Sequence, residues 1–342
     1  MVQQPLISLT NTTPAEEGCF ASPPTILQHN VSMVAMKTKL FLLVTMALPL
    51  LVAAQGRPGR QDRQDRQVRQ RRSTDFRVDV EKITNCGDLR ITFDRRPAIT
   101  EESEIVLPAS QVATLRAQTE NSGMYVSGWD RSEYSVKTCK GVPDDDPNAR
   151  GTLRDIVTSN TNGQITVTGP GDREWVASLI IMVPRLSAVD LQTRNGPMAL
   201  HDFAGSIHVR ASNGPVSLDN IGGSVQAATT NGPIALKRGS GDQRISATNG
   251  PISVALSGSG WDGPGLDVST QNGPLALSIP DGYSSGVAIQ TSSRSPISCT
   301  AAACADLARV AESPTTLRFG SGNPVVKLST SRGPLAIRSA RE

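Results

Sequence analysis

Apolar and polar residues alternate with a period of two along the C-terminal two-thirds of this chain, a pattern typical of β-strands. Five copies of Asn-Gly-Pro interrupt the alternation, and they begin at Asn195, Asn213, Asn231, Asn249 and Asn272. The first three intervals between them are 18 residues and the fourth is 23. A fixed interval this short predicts a repeat protein, because a single repeat cannot bury its own apolar face and must stack on its neighbours.

The apolar residues keep constant distances from each Asn. Three residues after it stand Met198, Val216, Ile234, Ile252 and Leu275, and five residues after it stand Leu200, Leu218, Leu236, Val254 and Leu277. The alternation resumes with Ile207, Val209 and Ala211 and their equivalents, with Gln243 as an exception. Each repeat therefore has a short strand after the Pro and a longer strand before the next Asn. The predicted fold class is all-β, a parallel β-helix (β-solenoid) with coils of about 18 residues.

The Asn-Gly pairs are the predicted structural turns. They are Asn195 and Gly196, Asn213 and Gly214, Asn231 and Gly232, Asn249 and Gly250, and Asn272 and Gly273. Because Asn and Gly tolerate positive φ, each pair is expected to form a tight corner. The Pro that follows lacks an N–H group and suits the first position of a strand. Stacked Asn side chains are expected to hydrogen-bond from one repeat to the next.

The 23-residue interval keeps the pattern if five residues are inserted between Ser257 and Gly265. This Gly-rich stretch carries Trp261 and is expected to loop off the side of the stack. An exposed Trp261 would bind a sugar or a partner, whereas a Trp261 that folds back would cover the stack. Asn162-Gly163 resembles an earlier repeat without the Pro. Degenerate repeats are expected to follow in chain order, ending in a short charged strand over residues 335–342 that blunts the last edge.

The N-terminal part of the chain predicts export. Residues 36–54 (MKTKLFLLVTMALPLLVAA) place two lysines before an apolar stretch that ends in small residues, which indicates a signal peptide cleaved after Ala54. A membrane anchor is the alternative, although the stretch is short for a span. Residues 1–35 are interpreted as an upstream extension from a misassigned start codon, residues 55–74 as a disordered linker, and residues 75–342 as the solenoid. We expect a periplasmic, cell-surface or secreted protein.

Charge separates the linker from the solenoid. Residues 55–72 carry seven Arg and two Asp, a net charge of +5, and residues 1–54 are balanced. Since the whole chain carries +3, residues 73–342 carry −2, which predicts no nucleic-acid surface on the folded part. The basic linker either contacts an anionic membrane surface or serves as a solvated tether.

Four cysteines follow the apolar stretch: Cys86, Cys139, Cys299 and Cys304. An even number in an exported chain predicts disulfides. A local Cys299–Cys304 bond would leave Cys86–Cys139 to tie the N-terminal strands together, but the spacing leaves all three connectivities open. Neither spacing matches a zinc site, and no metal or cofactor is predicted.

The combination resembles one family. An opening segment with Gly128-Trp129-Asp130-Arg131 precedes repeats of the form Thr/Ser-x-Asn-Gly-Pro-(Ile/Val/Leu)-x-Leu. In this it is similar to the bacterial putative-adhesin domain of unknown function, an exported β-solenoid with degenerate Asn-Gly repeats. The resemblance spans roughly residues 75–340 and implies a right-handed coil. The family offers no catalytic residues to carry over.

One constellation invites a chemical interpretation. His201, Asp219 and Lys237 stand six residues after successive Asn residues, so stacking would bring them together as a corner patch. They form either a ligand-binding or acid–base site or an exposed charge ladder, and the absence of paired carboxylates favours the ladder. The acidic run over residues 144–146 is bracketed by prolines and is interpreted as a solvated loop rather than a calcium site.

These observations predict a function without catalysis. The favoured hypothesis is an exported β-solenoid that acts as an adhesin or as a surface or periplasmic scaffold, and binds a cell-envelope glycan or protein. Trp261 and the corner patch are the candidate ligand contacts. A polymer-forming solenoid and a carbohydrate-active β-helix enzyme are the alternatives.

Overall fold

The computed structural model describes residues 83–171, 173–292, 295–304 and 315–340. The predicted upstream extension, signal peptide and linker lie outside these residues. The described chain is all-β, with twenty of its strands in one large mixed sheet. The strands are β1 Thr92–Phe93, β2 Arg96–Pro97, β3 Ile99–Pro108, β4 Leu115–Thr119, β5 Met124–Trp129, β6 Glu133–Val142, β7 Val157–Thr161, β8 Gln164–Thr168, β9 Val176–Pro184, β10 Leu186–Asn195, β11 Met198–Asn213, β12 Val216–Asn231, β13 Ile234–Lys237, β14 Asp242–Asn249, β15 Ile252–Ala255, β16 Gly265–Asn272, β17 Leu275–Ile279, β18 Ser285–Thr291, β19 Ile297–Cys299, β20 Thr315–Phe319, β21 Ser321–Arg332 and β22 Leu335–Ser339.

Helical structure within those ranges is limited to one α-helix, α1 (Ala149–Asp155), and to short 3-10 turns over Cys86–Asp88, Ala109–Gln111 and Ala302–Cys304. None of the described helices is long and apolar enough to span a membrane.

The Asn-Gly-Pro repeats pair side by side in parallel register. Asn195 pairs with Asn213, Asn213 with Asn231, Asn231 with Asn249, and Asn249 with Asn272. The expected five-residue insertion is absorbed before β16, because Gln243 of β14 pairs with Leu266 of β16. The register therefore places equivalent residues of successive repeats in straight rows across the sheet.

Inward rows of these strands make up the main core. Met198, Val216, Ile234, Ile252 and Leu275 are at most 1% exposed, as expected from their constant offset. Gln243, the exception in its row, is fully buried. Its Nε2 donates hydrogen bonds to the main-chain oxygens of Ile221 and Ser240, at 2.7 and 2.8 Å. The Nε2 group is tolerated there because it is paired with main-chain acceptors at a corner of the repeat.

The expected role of positive φ at the Asn-Gly turns is wrong for most of them. Among the residues that the structure describes, positive φ in the repeats falls mainly at the opposite corner, at Asp202 (62°), Asn220 (55°) and Arg238 (50°). Gly232 is not in that region of φ. It is required because an added Cβ would lie 2.1 Å from the main-chain oxygen of Gly214. Close stacking of main chains, rather than left-handed geometry, therefore explains the glycine.

Asn162-Gly163 is also not an earlier Asn-Gly-Pro turn. Both residues have positive φ, 53° and 82°, and they join β7 and β8 as an antiparallel hairpin. This is the two-residue hairpin connection that Asn-Gly favours.

The last repeats do not stack in chain order, contrary to expectation. Strand β21 lies between β16 and β18 and pairs in parallel with both, and β22 lies between β17 and β19. The C-terminal strand is therefore internal rather than a blunted edge. Its inward residues Leu335 and Ile337 are 1% exposed, so it continues the apolar rows of the central repeats.

The first repeats are interleaved in the same way. Strand β4 pairs with β8 on one side and β10 on the other, and β5 lies between β9 and β11. Antiparallel strands then flank the parallel stack, although one of its described end strands, β19, pairs in parallel with β22. Strand β7 pairs with β8, β6 with β9, β3 with β6, and β20 with β18.

Candidate functional site

The corner patch predicted from the sequence is assembled on adjacent parallel strands. His201 of β11 pairs with Asp219 of β12, and Asp219 pairs with Lys237 of β13. His201 is 8% exposed, and Asp219 and Lys237 are half-buried. The register therefore places Asp219 between the two basic residues.

The carboxylates of this corner are held by neighbouring groups. Arg238 Nη2 lies 2.8 Å from Asp219 Oδ1, an ionic contact without the alignment of a hydrogen bond. Asp202 Oδ1 accepts a hydrogen bond of 2.9 Å from Asn220 Nδ2. Opposite charges on adjacent strands, each engaged locally, favour the charge-ladder interpretation over an acid–base site.

Trp261 folds back onto the stack. Its side chain is half-buried and packs against the main core, and its indole Nε1 donates a 2.9 Å hydrogen bond to the main-chain oxygen of Gly241. Its main-chain N–H donates to Ser285 Oγ at 2.9 Å. These contacts favour the packing interpretation. A ligand contact at Trp261 stays a prediction.

The turn asparagines form an amide ladder, which we call the Asn ladder. Each Nδ2 donates to the Oδ1 of the preceding member, over distances of 2.8 to 3.0 Å, in the series Asn272, Asn249, Asn231, Asn213, Asn195 and Asn121. Arg332 Nη1 donates to Asn272 Oδ1 at 3.3 Å. The ladder therefore runs in one direction and extends to Asn121, which stands outside the Asn-Gly-Pro repeats.

Both disulfides join the pairs that the sequence made plausible. Cys86 is bonded to Cys139, across a sequence separation of 53 residues, and Cys299 is bonded to Cys304. The first bond attaches the segment before β1 to β6. The second closes a local loop after β19.

The acidic run is occupied by structural contacts. Arg96 bridges Asp144 and Asp145 at 3.0 and 2.8 Å, and Asp146 accepts a 2.7 Å hydrogen bond from the Thr152 hydroxyl of α1. The described residues contain no group of three His, Cys, Asp or Glu side chains arranged to hold a metal ion.

An open cleft of about 910 Å³ lies beside the first repeats, and none of the ligand contacts predicted from the sequence lines it. Its lining comes from residues 83–93, 121–125, 174–178 and 195–197. The first of these, here called the N-terminal segment, is attached to β6 by the Cys86–Cys139 bond. The volume is within the range of small-molecule sites in proteins.

Two aromatic rings of the cleft rest on glycines. A Cβ at Gly123 would lie 2.9 Å from the Tyr125 ring, and a Cβ at Gly169 would lie 2.5 Å from the Trp175 ring. The Trp175 indole donates to the main-chain oxygen of Pro170 at 3.0 Å, which fixes its plane. Burial raises the pKa of the Tyr125 hydroxyl, so this group stays protonated at neutral pH.

Charged and amide groups complete the lining. Asp88, Arg90 and Glu174 are exposed, and Asn121 and Asn195 are the end of the Asn ladder. The cleft thus combines half-buried aromatic rings with hydrogen-bond donors and acceptors.

The sequence contained a weak signal for this cleft. Tyr125 and Trp175 are large aromatic residues in a chain with only 4% aromatics. Trp175 also contacts the smaller core beside α1. The lining segments are distant in sequence and meet only through the interleaved order of the first repeats, which the repeat spacing does not predict.

No protein-family model and no curated protein matches this chain. Among solved structures, a putative cell adhesion protein of Clostridium sporogenes is similar with 10% identity and a TM-score of 0.31, covering 71% of this chain and 100% of that one. A putative adhesin of Bacteroides fragilis has 9% identity and a TM-score of 0.33, covering 70% and 97%. A putative lipid binding protein of Parabacteroides distasonis has 10% identity and a TM-score of 0.30, covering 71% and 97%. Likeness at this level determines neither a ligand nor an activity, and the family resemblance stays a prediction.

Proposed function

We propose that this chain is an exported, non-catalytic β-solenoid that binds a cell-envelope glycan or protein, as an adhesin or a scaffold. The coil is proposed to be right-handed, as the family resemblance implies. Parallel pairing of equivalent residues, such as Asn213 with Asn231, supports the solenoid. So does the burial of the matching apolar rows.

The cleft beside the first repeats is the observation that carries the binding function. It presents aromatic, amide and charged side chains at one open surface. In the corner patch, by contrast, Asp219 is already engaged by Arg238.

Export is supported by the two disulfides, because such bonds persist in oxidising compartments. The predicted signal peptide over residues 36–54 is in agreement with this. Contact of the basic linker with a membrane surface is part of the proposal. Its expected signature is binding to anionic vesicles that weakens as salt rises.

The alternative of a polymer-forming solenoid is disfavoured by the antiparallel strands β7, β6 and β20 at the ends of the parallel stack. Open parallel edges would template further stacking, whereas these strands interrupt the register. The alternative of a β-helix enzyme would require turnover at the corner patch.

The proposal is tested with the purified exported protein on a glycan array and on whole cells and envelope fractions. We expect saturable binding to at least one envelope component, with no change in its chain length or composition. Turnover of a polysaccharide, or no binding to any envelope fraction, would overturn the proposal.

A further inference from the structure

The Asn ladder ends in the cleft with a hydrogen-bond donor. Asn121 Oδ1 accepts a hydrogen bond from Asn195 Nδ2 at 2.8 Å. Among the described residues, none accepts a hydrogen bond from Asn121 Nδ2. Amide chains with a common direction polarise one another. The donor end of six aligned side chains, with the Arg332 guanidinium at the far end, is therefore presented to whatever occupies the cleft.

Two main-chain oxygens near the end of the Asn ladder are already paired. The oxygen of Ser122 accepts hydrogen bonds from the Thr119 and Thr193 hydroxyls, at 3.0 and 3.3 Å. The oxygen of Gly123 accepts from the Leu179 N–H at 3.0 Å. These two oxygens are therefore not open to an added peptide strand, which needs unpaired main-chain groups. At this part of the cleft the side chains are the groups left for recognition.

We propose that the cleft binds an uncharged oligosaccharide, with Trp175 and Tyr125 packing on a sugar ring and Asn121 donating to a sugar oxygen. This inference rests on the proposed binding function and specifies its site and ligand class. Sugars combine apolar ring faces with dense hydroxyl groups, and aromatic side chains with a polar edge suit them. Asp88 and Glu174 are acceptors for hydroxyl donors, and Arg90 is a further donor.

The charge of the lining argues against acidic glycans. The lining has two exposed carboxylates, Asp88 and Glu174, and one exposed cation, Arg90, so its net charge is negative. An acyl chain is also a poor match, because these charged groups would have to be desolvated beside it. An uncharged sugar meets neither cost.

The test titrates the purified exported protein with cellotriose, maltotriose, chitotriose and mannotriose, and with an oligogalacturonate as the acidic probe. Binding is followed by calorimetry and by tryptophan fluorescence. The chain has three tryptophans, and only Trp175 lines the cleft. We therefore expect a neutral trisaccharide to change the fluorescence, and Trp175→Phe to remove most of that change.

Asn121→Ala removes the terminal donor at an exposed position, so the variant should fold normally. We expect it to weaken trisaccharide binding about tenfold, which is the effect of roughly 1.4 kcal/mol. Gln226→Ala, an exposed amide on another part of the sheet, is the matched control and should leave affinity unchanged.

The outcomes distinguish saccharide binding at the cleft from the proposed binding of an envelope component. Undiminished binding by Asn121→Ala, a fluorescence change that persists in Trp175→Phe, binding to the acidic probe alone, or no binding to any neutral trisaccharide would overturn the cleft assignment. If the same preparation still binds envelope fractions, the proposed function survives that result. If it binds nothing, both proposals are wrong.

Discussion

A Cβ atom on Gly232 would lie 2.1 Å from the main-chain oxygen of Gly214 in the neighbouring repeat. The equivalent approach recurs at Gly250, where the distance to the oxygen of Gly232 would be 2.0 Å. Both contacts are shorter than any side chain permits, and the opposing atom is main chain that is held by the sheet. The Asn-Gly-Pro turns are therefore determined by how closely successive repeats stack.

Gly232→Ala tests this relationship. The added methyl group must push two repeats apart, and overpacking of this kind costs about 1–3 kcal/mol. We expect the free energy of unfolding to fall by about that amount in chemical denaturation. Gly171→Ala is the control, because an added Cβ there meets nothing within 4 Å. Equal stability of the two variants would contradict the close-stacking explanation.

The repeat spacing predicted the rows of buried residues because every Asn-Gly-Pro turn resets the same two-residue alternation. It also predicted the partners of the Asn ladder within the repeats, since an amide at a constant offset must meet its equivalent, but it did not predict the last member, Asn121. The repeat spacing did not predict the order of the last strands. Strands β18 and β21 have the same alternation of apolar and polar residues, so the pattern alone does not decide which of them lies beside β16. The cleft depends on the interleaved order of the first repeats, at the other end of the stack. The repeat spacing does not predict that order, so it did not predict that the four lining segments come together.

The C-terminal strands are predicted to be essential rather than peripheral. Removal of residues 321–342 would uncover the inward faces of β16 and β17, and would take away Val326, Leu328, Leu335 and Ile337, each at most 2% exposed. Full burial of one such side chain contributes about 1.5–3 kcal/mol. Four of them approach the whole stability of an ordinary domain, which is about 5–15 kcal/mol.

We therefore expect the chain that ends at Gly320 to lose cooperative thermal unfolding, followed by circular dichroism. A chain that ends at Ala340 removes only residues 341–342 and should melt like the full protein. Independent stability of the shorter chain would mean that the earlier repeats can close up in chain order without β21 and β22.

The Cys86–Cys139 bond should stabilise the protein more than the Cys299–Cys304 bond. The two close loops of 53 and 5 residues. A chain-entropy model gives about 4 kcal/mol for the first and about 2 kcal/mol for the second. Replacing each pair by Ser, and comparing chemical denaturation, measures the difference.

The same Ser variants also test the cleft. Loss of the Cys86–Cys139 bond releases the N-terminal segment, which supplies Asp88 and Arg90, so saccharide binding should be lost with it. Loss of the Cys299–Cys304 bond should leave binding intact. Unaltered binding in both variants would show that the N-terminal segment contributes nothing to the ligand site.

Asp219→Ala decides between a charge ladder and a catalytic group at the corner patch. Asp219 contacts Arg238, whose side chain is 60% exposed, so the pair is screened by solvent and should contribute about 1 kcal/mol or less. We expect a small loss of stability, which shrinks further at high salt, and unchanged binding. The measurement pairs thermal melting with a reducing-sugar assay on acidic and neutral polysaccharides. Turnover by the wild type that Asp219→Ala abolishes would instead establish an enzyme.

Trp261→Ala distinguishes a packing residue from a ligand contact. The indole packs against the main core and donates to the Gly241 oxygen at 2.9 Å, and that carbonyl also accepts from the Gly265 N–H at 3.2 Å. Truncation removes both the apolar contact and one hydrogen bond, and large-to-small changes of buried aromatic residues cost about 3–5 kcal/mol. Because Trp261 is only half-buried, we expect about half of that loss in chemical denaturation, with ligand affinity unchanged.

Asp262→Ala is an exposed change in the same loop and should have no measurable effect on stability. Weaker binding at an unchanged melting temperature would restore Trp261 as the recognition residue, and would show that the loop's contacts with Gly241 and Ser285 contribute little to the fold.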